Sequence, residues 1–136
     1  MVTQVSIVTV LVADQQRALE FWRDQAGFHV RDDQDFMPGA RWITVAPAEG
    51  QTALALLPAS MAGNADRKPG GFSGVSFLSD DIAEDYAELT ECGVQFTQPP
   101  KQEPWGISAV FADPDGNLFS LVQTGEATQV LNAATR

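Results

Sequence analysis

The sequence predicts an α+β fold of two tandem βαβββ modules, and three observations predict it. Residues 5–28 read as an apolar strand, Asp14, a helix, then Gly27 and Phe28; residues 74–96 repeat that order with Asp80, a helix, Gly93 and Phe96. Thirteen residues separate Asp14 from Gly27 and Asp80 from Gly93, and the two units lie 66 residues apart in a chain of 136. Near the end, Asp113, Pro114, Asp115, Gly116 and Asn117 make a strong hairpin signal, because proline presets one dihedral and glycine supplies a positive φ. A duplicated module that cannot bury its sheet face alone must pair with its copy. The seam between copies is then the expected ligand site.

Each element has a local reason. On the first strand Val5, Ile7, Thr9 and Leu11 alternate with Ser6, Val8, Val10 and Val12, an apolarity on both sides that suits a strand covered on both faces. Asp14 is placed to cap the following helix, residues 15–26, whose Leu19, Trp22 and Ala26 share a face. Gly27 suits the left-handed residue that ends it. Strands are expected at 29–35, 41–46 and 52–57, giving a first module of about residues 3–57. Residues 58–72, rich in Gly, Pro and Ala, read as the linker. The second module spans about residues 73–123. It has a strand at 74–78, a helix from Asp81 to about Cys92 with Glu84 completing the cap pattern, and strands at 94–97, 107–112 and 118–122. Ile82, Tyr86 and Leu89 form that helix's buried face. Together residues 1–123 are expected to make a single domain, followed by a tail of residues 124–136 that frays or reaches a second subunit.

Composition excludes several functions. Aliphatic and aromatic residues make up 44% of the chain, and its length suffices to bury a core. No apolar run approaches the ~20 residues of a membrane span, and the first ten residues lack a basic start and a small-residue cleavage site, so no signal peptide is expected. Cys92 is the only cysteine, which excludes an internal disulfide and fits a reducing, cytoplasmic setting. A net charge of −10, from 18 acids and 8 bases, argues against nucleic acid. The acids keep the chain soluble and would favour a cationic ligand, but only Asp32, Asp33 and Asp35 cluster.

The order βαβββ written twice resembles the vicinal oxygen chelate superfamily, which holds glyoxalases, bleomycin-resistance proteins and extradiol dioxygenases. The resemblance rests on three stretches between about residues 5 and 123. They are the strand–Asp14–helix–Gly27–Phe28 run, its copy from Val75 to Val94, and the closing hairpin with Pro104, Trp105 and Gly106 upstream. It implies a half-open β-sheet cup and a homodimer. In metal-dependent relatives four strands each send one His, Gln or Glu into the cup, because a divalent ion needs converging N and O donors with positions left open for substrate. Carried over by position, the four seats are Ile7, Ala55, Gly74 and Ser120. None is a usual ligand. No His, Asp, Glu or Cys occurs in residues 1–13, 52–57, 72–78 or 117–122, and Gln4 stands three residues from the Ile7 seat on the opposite strand face, so a slip in register does not supply one. The expectation is therefore no metal and no cofactor.

Other chemistry is sparse. His29, the only histidine, heads a short strand and reads as structural, and no Ser-His-Asp set can be built on it. Cys92 lies at a helix C-terminus, where the dipole disfavours thiolate. Gly70 and Gly71 lack the lysine and helix of a phosphate loop. Glu103, beside Trp105, reads as a solvated loop acid rather than a general base.

Strand parity points Ile7, Thr9, Ala55, Leu57, Gly74, Ser76, Ser120 and Val122 into the cup. Apolar walls with a few hydroxyls describe a pocket that binds rather than reacts. Trp42 and Trp105 stand near its mouth, where an indole can stack on a flat or cationic ligand. Phe36 and Phe111 are weaker members of that set, and Trp22 is expected in the core. The leading expectation is a metal-independent small-molecule-binding protein that sequesters a cationic or aromatic ligand. The alternatives are an enzyme working without the usual ligands or with a relocated metal, and a partner-binding scaffold.

Overall fold

The computed structural model describes residues 1–63 and 66–125. Its elements run β1 (Ile7–Leu11), α1 (Gln15–Glu20), a π turn (Phe21–Gln25), β2 (His29–Met37), β3 (Ala40–Ala46), β4 (Ala53–Leu57), β5 (Gly71–Leu78), α2 (Ile82–Glu91), β6 (Gln95–Glu103), β7 (Gly106–Ala112) and β8 (Asn117–Thr124). This is the predicted α+β order, βαβββ twice. Each module forms one four-stranded sheet, in the orders β1-β4-β3-β2 and β5-β8-β7-β6. Two compact units result. The first comprises Met1–Gly71 with the hairpin tip Asp113–Asn117, and the second Phe72–Ala112 with the chain from Leu118.

The repeated local signals act as read. Asp14 and Asp81 are the helix N-caps, accepting hydrogen bonds from the Arg17 and Glu84 amides at 3.1 Å each. Gly27 and Gly93 follow the helices with φ of 76° and 93°, the left-handed conformation that costs glycine no Cβ clash. The first helix differs from expectation in its second half. The Ala26 amide reaches back five residues to the Phe21 carbonyl at 2.9 Å, so Phe21–Gln25 is a π turn and not a continuation of the α-helix. Trp22, in that turn, is fully buried with Phe21 and Phe28 around it.

Several strands run longer than expected, β2 to Met37 and β8 to Thr124 among them, and two extend furthest. β5 begins at Gly71, inside the expected linker, and β6 runs on through Pro99 and Pro100 to Glu103. β6 is the outer strand of its sheet, and its register with β7 shifts between Gln98 and Lys101, so neither proline is paired and no ladder bond is lost. The expected tail does not begin at Thr124, which closes β8; its remaining part, 126–136, lies outside the described residues.

The hairpin tip that completes the first unit is held by carboxylates and one amide. Asp113 Oδ1 accepts from the Asp115 and Asn117 amides at 3.0 and 2.8 Å. The Asn117 side chain donates to Asp113 Oδ2 and to the Leu11 carbonyl, and its oxygen accepts from the Gly70 amide at 2.7 Å. Asp115 Oδ1 accepts from Arg17 at 2.9 Å and from the Ala13 amide. The tip thus joins the end of β1, the start of α1 and the segment before β5. Burial pushes the Asp113 carboxyl above its ordinary range, while the Asn117 and Asp115 donors pull it down.

Candidate functional site

In the first unit the register assigns side chains to faces, since residues directly opposite on neighbouring strands share one. Arg41 reaches Gln16 of α1 at 2.8 Å and Asp33 at 2.7 and 3.0 Å, so the face carrying Arg41, Ile43 and Val45 is the one α1 covers. Trp42 and Thr44 therefore point to the other face. Thr44 pairs with Ala55, and Ala55 with Thr9. Ile7 pairs with Ala53 and Leu11 with Leu57 in the same register. The helix-free face of this sheet brings together five sequence-predicted residues: Ile7, Thr9, Trp42, Ala55 and Leu57. Ile7 and Thr9 are exposed and Trp42 half-buried, while Ala55 and Leu57 are buried.

The second unit places its predicted residues differently. Tyr86 of α2 meets Phe96 edge-on at 4.7 Å, and Phe96, Phe111 and Phe119 lie opposite one another across β6, β7 and β8. Phe77 stacks on the same rings at 6.1 and 5.9 Å. Phe111, 3% exposed, is therefore part of the aromatic core under α2 and lies on the face opposite the expected cup. Ser120, paired with Val110, and Val122, paired with Ser108, fall on the helix-free face. Ser76, next to Phe77, alternates to that face as well. Gly74 offers only backbone. Trp105 lies in the β6–β7 turn, 41% exposed, its carbonyl accepting from the Gly125 amide at 2.8 Å. Phe36 stands exposed at the β2–β3 hairpin, where residues Asp35–Arg41 line a shallow depression of about 550 Å³.

Two residues that the sequence reading did not assign to the cup, Asp32 and Thr44, also lie on the first helix-free face. Asp32 pairs with Thr44, whose hydroxyl donates to Asp32 Oδ2 at 2.7 Å. The register of β2 shifts between Val30 and Asp32, so Arg31 is an extra, bulged residue. Without it, plain alternation would send Asp32 to the α1 side. Arg31 itself donates to the Pro47 and Gly50 carbonyls. Nothing in the sequence marks a bulge there.

The other two clustered acids face α1. The Arg41 guanidinium, bonded to Asp33 through two nitrogens, holds that carboxyl below its ordinary value of 3.8. A lowered folded value stabilises the fold above the unfolded pKa, and that contribution is lost as pH falls through the folded one. Arg41→Gln is therefore expected to cost under about 1 kcal/mol at neutral pH, as for a partly exposed pair. Thermal melts of the two proteins are expected to converge as pH falls through the lowered Asp33 value, once that carboxyl is protonated in both.

A metal of the kind the resemblance implies does not fit the seats. Ile7, Ala55 and Gly74 carry no donor, and Ser120 carries one neutral hydroxyl. Among the described residues no three His, Cys, Asp or Glu side chains are grouped to hold an ion.

Comparison with known proteins agrees with this architecture. Residues 4–121 match the family model of the Glyoxalase/Bleomycin resistance protein/Dioxygenase superfamily. A superfamily member from Sphaerobacter thermophilus DSM 20745 superposes with a TM-score of 0.83 at 42% identity, over 90% of this chain and 98% of that one. TnmS3, an antibiotic binding protein from Streptomyces sp. CB03234, gives 0.79 at 36% identity, over 91% and 98%. The uncharacterized protein YetH of Bacillus subtilis is 35% identical over 89% of this chain and 98% of its own. With its duplicated βαβββ order and a match across nearly the whole described chain, the protein belongs to the glyoxalase/bleomycin resistance protein/dioxygenase superfamily.

Proposed function

We propose that this protein binds a small organic molecule without a metal ion, holding it by apolar contact and stacking rather than transforming it. The observation that carries this reading is the helix-free face of the β1–β4 sheet. There an indole, a threonine hydroxyl and aliphatic side chains register side by side, and the expected ligand seats hold Ile7 and Ala55. Such a surface supplies desolvation and shape, and it lacks the convergent donors that metal-assisted chemistry requires. The likeness to an antibiotic binding protein at 36% identity supports binding as the activity. Apolar side chains standing in solvent, among them Phe72 and Leu78 at 67% and 72% exposure, support a homodimer as the working form, which sedimentation at varied concentration would test.

The binding reading has a direct test. A panel of planar, cationic and hydrophobic metabolites is titrated while tryptophan fluorescence and melting temperature are followed. A true ligand at 100 times its Kd adds about 2.7 kcal/mol to stability, which raises Tm by several degrees. A panel that moves neither signal, or stoichiometric zinc, nickel, iron or manganese in protein purified without chelator, would remove the support for the proposal.

A further inference from the structure

The acid that the β2 bulge turns outward narrows the ligand class. Of the three clustered acids, Asp33 is bonded to Arg41 on the α1 side, and Asp35 lies opposite Arg41 on that same side. Asp32 alone stands on the helix-free face, half-buried, and among the described residues no cationic side chain pairs with it. Its Oδ2 accepts from Thr44, which is 1% exposed. That bond fixes the carboxylate and leaves Oδ1 for a donor outside the protein. Along the same face the Asp32–Thr44 row lies between the His29–Ala46 row and the Gln34–Trp42 row. Diagonal neighbours on one face are within reach of an aromatic side chain. A carboxylate that is fixed, partly removed from water, without a cationic partner and diagonal to an indole is complemented by a cation carried on a flat ring.

We infer that the Asp32 carboxylate, fixed by Thr44 beside Trp42, is the seat for a positively charged nitrogen of an aromatic ligand. The inference rests on the binding reading above and sharpens it. An ammonium or amidinium N–H donates to Asp32 Oδ1 while the attached ring lies against Trp42. Thr44 is a positioning residue that acts through the carboxylate. The Arg31 bulge is the backbone device that puts the charge on this face, in keeping with the habit of bulges to re-aim one side chain.

The experiment compares two rings of one size by titration calorimetry at mildly alkaline pH, where 9-aminoacridine is a cation and acridine is neutral. The intact protein is expected to hold 9-aminoacridine about tenfold more tightly than acridine, the equivalent of about 1.4 kcal/mol. Asp32→Asn keeps an oxygen for Thr44 and presents an amide to the ligand, and it is expected to abolish that preference while leaving acridine affinity unchanged. Thr44→Val is expected to lose about half of the preference on the logarithmic scale, again without changing acridine, which a merely structural role would not do. Trp42→Leu is expected to weaken both rings. Equal affinity for the two rings in the intact protein, or an undiminished preference in Asp32→Asn, overturns the inference and leaves the binding reading standing. Failure to bind 9-aminoacridine at all also overturns it, whereas the binding reading is decided separately by the wider panel and the metal analysis.

Discussion

Gly106→Ala is expected to be among the most damaging single-methyl additions this chain can receive, at about 3 kcal/mol or more, with soluble yield and melting temperature as the readouts. Gly106 opens β7 opposite Thr124 with φ of 153°, a conformation that side chains of L-residues rarely adopt. A Cβ placed there would stand 2.2 Å from the Gln123 carbonyl oxygen and 2.9 Å from the Gly125 nitrogen. Both obstacles are backbone, so no rotamer change relieves them. The two strands would have to part where the Gly125 amide donates to the Trp105 carbonyl, and Trp105 would move with them. Gly116→Ala makes the informative control. That glycine also has positive φ, but its added Cβ meets nothing within 4 Å, so the cost there is the dihedral alone, about 1 kcal/mol. Equal losses at the two positions would show that the close approach at Gly106 is unimportant.

Asn117→Ala is expected to cost about 3 kcal/mol, lowering Tm by roughly 10 °C for a chain of this size. Its buried amide serves the Leu11 carbonyl, the Gly70 amide and Asp113 Oδ2 at once. Truncation leaves all three without this partner, and the buried Leu11 and Asp113 acceptors are poorly placed to find water instead. The pH dependence of the deficit identifies the cause. Burial already raises the Asp113 carboxyl, and removing a donor raises it further. A raised folded value favours the native state at low pH, and that favour is lost as pH rises through it. The gap between wild type and variant is therefore expected to narrow on mild acidification, as Asp113 takes up its proton. A gap independent of pH would place the loss in packing rather than in the unmet carboxylate.

The modules were legible because their punctuation is local. An aspartate cap and a glycine terminator act within one turn of helix, so Asp14, Gly27, Asp81 and Gly93 announce themselves wherever the chain later goes. Faces were legible where neighbouring strands alternate consistently. Ile7, Thr9, Ala55 and Leu57 need only period two and a shared register to meet on one surface. Phe111 was misread because β7, from Ile107 to Ala112, is apolar or small at almost every position. Alternation then shows that two faces exist without showing which one the helix covers; the stack of Phe77, Phe96 and Phe119 decides it. Asp32 was illegible for a different reason. A bulge is a defect of pairing between strands, settled by where Thr44 and Ala46 anchor β3 across from it, and a single strand's sequence holds no record of its partner's count. The two prolines of β6 misled similarly, since only the pairing with β7 reveals the irregularity that leaves them without partners.

The hairpin tip has a further consequence, which concerns time rather than space. Asn117 bonds the Leu11 carbonyl across 106 positions of sequence, so the earlier-synthesised unit is finished by a segment made only after most of the other unit. Until that tip emerges, the Leu11 carbonyl, the Ala13 amide and the Gly70 amide must wait in water. A loop that long closes slowly and raises the contact order of a unit whose own strands are otherwise close neighbours. A cut at the linker therefore divides the first unit from a part of itself. A peptide of residues 1–71 would carry a complete βαβββ sequence and still lack the five residues that latch it.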